Sequence, residues 1–86
     1  MIDSIDELES VEIQKIKLLC ARLDPDVLAL AMHGISPALV GKFKGSMTPM
    51  KRIIVWLSPY KRTAVKINEV EKSHREIVDS FNDLGS

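Results

Sequence analysis

A polar capping residue precedes each of the four prolines, and three of these pairs, Asp24-Pro25, Ser36-Pro37 and Thr48-Pro49, read as helix starts. Each of these three both ends and begins a helix. The residue before proline is pushed out of the α region, so no helix runs through it. The proline itself fits the first helical turn, where its missing N–H has no partner to lose. The side-chain oxygen of Asp, Ser or Thr accepts from the free N–H groups of the new helix. A chain punctuated this way folds into short helices.

The segments between these signals support that reading. Ser4-Ile5-Asp6-Glu7 has the form of a capping box. Ile5, Leu8, Ile16, Leu19 and Leu23, flanked by Ile13 and Cys20, then recur at helical spacing and predict one apolar face. Gly34 is placed to close the helix that starts at Pro25 with a left-handed residue. Asn68 with Glu71 predicts a last helix start, followed by Val70, Ile77, Val78, Phe81 and Leu84 at helical spacing. Val65-Lys66-Ile67 alternates but is too short for a sheet of its own. The expected fold is all-α, one domain over residues 1–86, with five or six short helices; residues 1–12 form a helical extension.

One segment has two readings. Met50, Ile53, Ile54 and Leu57 fall at i, i+3, i+4 and i+7, which argues for a helix with this stripe buried. Val55 and Trp56 then lie off the stripe, and Ser58-Pro59 stops or kinks the helix.

Composition excludes several functions. An 86-residue chain with 45% hydrophobic and 28% charged residues suits a single globular domain. No apolar run approaches the ~20 residues that span a bilayer. The acidic start, Met1 to Glu7, does not resemble a signal peptide. A cytoplasmic protein is expected, with a place at the inner face of the cell membrane left open. One cysteine, Cys20, rules out an internal disulfide and a cysteine-based zinc site, and on an apolar face it reads as an inert buried thiol. Only His33 and His74 stand beside it as titratable nucleophile partners, and no P-loop, dinucleotide fingerprint or HExxH motif occurs. No enzyme activity, cofactor or metal is expected.

The net charge of zero hides an uneven distribution. Residues 1–26 carry −4, residues 27–66 carry +7 with no acid at all, and residues 67–86 carry −3. The bases of the middle are Lys42, Lys44, Lys51, Arg52, Lys61, Arg62 and Lys66. They suit a solvated face, a docking patch for an acidic protein, or a helical nucleic-acid-binding module.

The chain also resembles a known family. Leu28-Ala29-Leu30-Ala31-Met32-His33-Gly34, then Leu39, Lys42-Phe43 and Met47-Thr48, is similar to the L-x-x-A-L-K-G, L-x-x-K-F and N-M-S motifs of the C-terminal domain of the flagellar motor switch protein FliG. The similarity is ungapped. It continues through Val65-Lys66-Ile67 and Val70-Glu71 to Leu84-Gly85, and upstream it takes in Ile16, Leu19, Cys20, Leu23 and Asp24. It covers residues 13–86.

The resemblance implies a compact helical rotor domain without an active site. One of its helices would present charges to the cytoplasmic loop of the stator subunit MotA. Several positions depart from the family. His33 stands where the family has lysine, Met50 where it has arginine, and Leu57 and Ser58 where it has an aspartate pair. Lys66 keeps the sign of a later arginine. Thr63-Ala64 replaces a Gly-Pro turn. In the family register Lys51, Ile54, Val55 and Ser58 face the core, while Met50, Ile53 and Leu57 face out beside Arg52. Both orientations of this helix stand at this point. The expected partner surface comprises His33, Met50, Lys51, Arg52, Leu57, Lys61, Arg62 and Lys66, and the expected partner is an acidic protein of a motor-like or membrane-associated machine. The alternative is a divergent regulatory or nucleic-acid-binding module.

Overall fold

The computed structural model describes residues 1–58 and 65–85. A 3-10 helix, Ile5–Ser10, is followed by α1 (Ile13–Arg22), α2 (Pro25–Ala31), α3 (Pro37–Ser46), α4 (Pro49–Leu57) and α5 (Ile67–Leu84). The described residues contain no strand, so the all-α expectation holds. The radius of gyration is 11.8 Å, close to the roughly 12 Å of a well-packed domain of this length.

The cap signals act as expected at three starts. The Ser4 hydroxyl accepts from the Asp6 N–H at 3.3 Å, and the Glu7 carboxylate accepts from Asp3 and Ser4 N–H at 2.7 and 2.9 Å. These backbone bonds hold the Glu7 carboxyl below its ordinary pKa. Ser36 accepts from Leu39 N–H at 3.2 Å and Thr48 from Lys51 N–H at 3.3 Å. Asp24 sits at the cap of α2 without a side-chain bond. Gly34 has φ +77°, the left-handed conformation that closes the turn after α2.

Two boundaries differ from the sequence reading. The first apolar stripe belongs to two helices, because the chain is extended at Val11. In one continuous helix Glu12 would lie on the stripe between Leu8 and Ile16, and its carboxylate would enter the core. The break leaves Glu12 exposed, and Ile13 is turned outward with it, 42% exposed. At the last helix Lys66, not Asn68, is the cap residue, and no side chain bonds the free N–H groups there.

Leu8, Ile16, Leu19, Leu28, Leu39, Phe43 and Ile77 are fully buried and form the centre. α1 packs on α3 and α5, α2 on α5 and α4, and the 3-10 helix lies across α3 and α5. The two ends of the chain meet. The Asn82 amide accepts from Ile2 N–H at 2.9 Å and donates to Ile2 C=O at 3.0 Å. A strand-like pairing thus holds buried Ile2 against α5.

Candidate docking surface

α4 settles its own orientation. Lys51, Val55 and Ser58 lie on one arc of the helix and face the domain; Val55 and Ser58 are buried and Lys51 is half-buried. Met50 (74% exposed), Ile53 (60%) and Leu57 (61%) face solvent, with Ile54 and Trp56 also exposed. The burial of Met50, Ile53 and Leu57 read from periodicity is therefore corrected. The family register holds except at Ile54, which stays outside.

The inward lysine has a specific cause. α4 passes the end of α1, and Lys51 Nζ donates to the carbonyl oxygens of Cys20 and Leu23. The last carbonyls of an α-helix have no partner inside the helix and carry the negative end of its dipole. The alkyl stem of Lys51 packs inside while the amine reaches these oxygens. A buried amine, costly without a partner, is here a C-terminal cap. Burial pushes the nearby Cys20 thiol up to about 11, and the Lys51 charge opposes that rise.

The same arrangement recurs at three further helix ends. Lys42 Nζ donates to Glu9 C=O at 2.8 Å, at the end of the 3-10 helix. Arg52 Nε donates to Lys44 C=O at 3.1 Å and Nη2 to Met47 C=O at 3.4 Å, at the end of α3. His74 Nε2 lies 3.0 Å from both Ala31 C=O and His33 C=O, at the end of α2. Two carbonyls accept only, so this nitrogen carries the proton. Each of four helix ends meets a cationic or N–H-bearing side chain from another element. This gives the acid-free middle of the sequence a structural reason. Within the domain Lys42, Lys51 and Arg52 take backbone carbonyls, in place of carboxylates, as their hydrogen-bond partners.

Ser58 donates to Asp26 Oδ1 at 3.3 Å and ties the end of α4 to the first turn of α2. Lys44 Nζ lies 4.5 Å from the Trp56 ring centroid, a cation–π contact across α3 and α4. Between Lys44, Arg52, Ile53, Trp56 and Leu57 runs a shallow groove of about 270 Å³.

The sequence-derived partner residues thus fall into separate places. Met50, Arg52 and Leu57 are exposed on α4, Lys51 is turned inward beneath them, and Lys66 is exposed at the start of α5. His33 is half-buried in the turn after α2, where its carbonyl meets His74. Lys61 and Arg62, like Pro59 and Thr63-Ala64, lie outside the described residues. The expected partner surface left out Ile53, Ile54 and Trp56, and both orientations read from the sequence turned Ile54 inward, whereas all three are exposed. Sequence reasoning also missed His74 as a cap; its place on the apolar stripe of α5, between Val70 and Ile77, was the available signal.

Among the described residues no three His, Cys, Asp or Glu side chains gather as a metal site, and no helix is long and apolar enough to cross a membrane. The class defined here is a small all-α domain of end-capped short helices, one of which turns its apolar face to solvent. The profile of the FliG C-terminal domain family matches residues 2–86, essentially the whole chain, so the chain belongs to that flagellar motor switch family. The match includes the 3-10 helix. Comparison with curated proteins and with solved structures gave no match.

Proposed function

We propose that this domain docks a protein partner on the outward face of α4, as a non-catalytic component of a flagellar-motor-like machine at the inner face of the cell membrane. One observation carries the reading: Met50, Ile53, Ile54, Trp56 and Leu57 are all exposed on a single nine-residue helix. Monomeric domains rarely expose large apolar side chains contiguously without a partner to cover them. The cations beside this face, Lys44 and Arg52, with Lys66 at the start of α5, favour an acidic partner and speed its encounter. The family relationship supplies the machine. The lost charges at Met50, Leu57 and Ser58 make the contact on α4 mainly apolar, unlike the charge contact that the resemblance implies. A phosphate backbone is met by cations and polar donors, so an apolar face suits nucleic acid poorly.

The test is co-purification with motor components from a motile host, using wild type and the surface variant Ile53→Ser/Leu57→Ser. Recovery of a rotor or stator protein by wild type, lost in the variant, is expected. Equal recovery by both, or normal swimming in a deletion strain, would refute the proposal.

A further inference from the structure

We infer that the partner segment inserts one bulky apolar side chain, flanked by carboxylates, into the groove between Lys44, Arg52, Ile53, Trp56 and Leu57. This rests on the reading of α4 as the docking helix and names what that helix takes.

The groove selects by size. At about 270 Å³ it falls just below the ~300 Å³ at which small-molecule pockets begin. It has room for a large side chain at a protein contact. Ile53, Trp56 and Leu57 supply apolar walls.

The cations select by charge. Arg52 is drawn back along α3 by its bonds to Lys44 C=O and Met47 C=O. The Lys44 ammonium is held over the Trp56 ring. Both charges are therefore fixed beside the groove before any partner arrives. Carbonyl oxygens and an aromatic face satisfy donors, yet they leave the unit charges unneutralised. A carboxylate is the group that completes them. An apolar side chain with Asp or Glu at neighbouring positions meets both demands.

The same charges disfavour a second copy of this chain. A symmetric contact through α4 would set Lys44 and Arg52 against their own counterparts, and the helix itself carries no acid to intervene. An anionic lipid surface would use the whole outward face, Met50 and Ile54 included, and would need no groove between two cations. The acidic, apolar peptide segment fits best.

Burial then sets the lifetime of the complex, and charge sets its rate of formation. Trp56 is the only tryptophan and lines the groove, so its emission reports occupancy. The experiment is a selection of random displayed 12-residue peptides on the purified domain, with counter-selection on Ile53→Ser. Ile53 is exposed, so this variant keeps the fold. The expected pool carries Leu, Ile, Phe, Met or Trp beside Asp or Glu. A synthetic peptide from it shifts Trp56 emission to the blue, and its dissociation rate changes less than about threefold between 0.05 and 0.5 M salt, because screening acts chiefly on association. A pool without acids, binding unaffected by Ile53→Ser, or a dissociation rate that rises more than about threefold over that salt range would overturn the inference. So would a Trp56 shift with phosphatidylglycerol vesicles and with no peptide. This test uses the isolated domain and no motor component, so it and the cellular test can fail separately.

Discussion

Replacing Lys51 by methionine keeps the length and volume of the stem and removes the amine. The carbonyls of Cys20 and Leu23 then lose the donor that ends α1. A hydrogen bond to a charged group contributes about 1.5–3 kcal/mol where water is excluded. Lys51 is half-buried, and water recovers part of that loss at each carbonyl. The lost dipole interaction adds about 0.3–1 kcal/mol, and the gain from burying a thioether offsets a similar amount. The balance is a destabilisation of about 2 kcal/mol. For a domain of this size each kcal/mol moves the midpoint by roughly 4–8 °C, so Tm falls by about 8–16 °C. Thermal and urea unfolding followed by circular dichroism measure it, with Lys66→Met as an exposed control expected within about 0.5 kcal/mol of wild type. Amide exchange should accelerate first at the end of α1. A Lys51→Met stability equal to that of Lys66→Met would refute the capping account and return Lys51 to the surface as an ordinary solvated charge.

Gly34→Ala places a Cβ 3.6 Å from the His74 ring, an ordinary contact, so its cost comes from the backbone at φ +77°; a loss of about 1–2 kcal/mol is expected in urea titrations. Cys20, with a thiol raised from 9.0 to about 11 by burial, should resist alkylation in the folded protein at pH 8. Its native pKa is the higher one, so the unfolded chain ionises first, and stability falls as pH climbs from 9 towards 11. A Cys20→Ala comparison isolates that slope, which should vanish in the variant. Glu7, whose pKa is lowered by Asp3 and Ser4 N–H, works in the opposite sense. Its contribution is complete above 4.5 and disappears as acid protonates the folded carboxylate, so Glu7→Gln should flatten the acid limb of the stability curve. Asn82→Leu removes both bonds to Ile2 and should expose the first residues to aminopeptidase while α5 keeps its helical signal.

What was legible in the sequence was whatever a residue does to its own neighbourhood. Ser4, Ser36 and Thr48 cap the helices they precede, and Gly34 turns the chain. Leu8, Ile16, Leu19, Leu23 and Ile77 were readable as core from helical spacing. The orientation of α4 was not readable this way. Periodicity marks an apolar stripe on Met50, Ile53 and Leu57 but does not say which side of the helix the rest of the chain will occupy. Lys51 made the inward face look expensive, because its partners are carbonyls on α1. Every residue has a carbonyl, so no pattern of side chains announces one that lacks a partner. The basic middle was legible only in part for the same reason: its missing acids suggested a surface for an acidic partner, and nothing in the pattern showed that Lys42, Lys51 and Arg52 also close helix ends. The outward turn of Met50, Ile53 and Leu57 follows from the family register and not from the apolar spacing.

α4 supplies the closing residue to two helices at once, Lys51 for α1 and Arg52 for α3, and Ser58 ties its far end to α2. A pull on this helix is therefore shared between its packing on α2 and two long side chains that end on carbonyls at the ends of α1 and α3. Seen mechanically, α4 is a handle bolted at three points, and the apolar face it presents is the one part of it left for something else to grip.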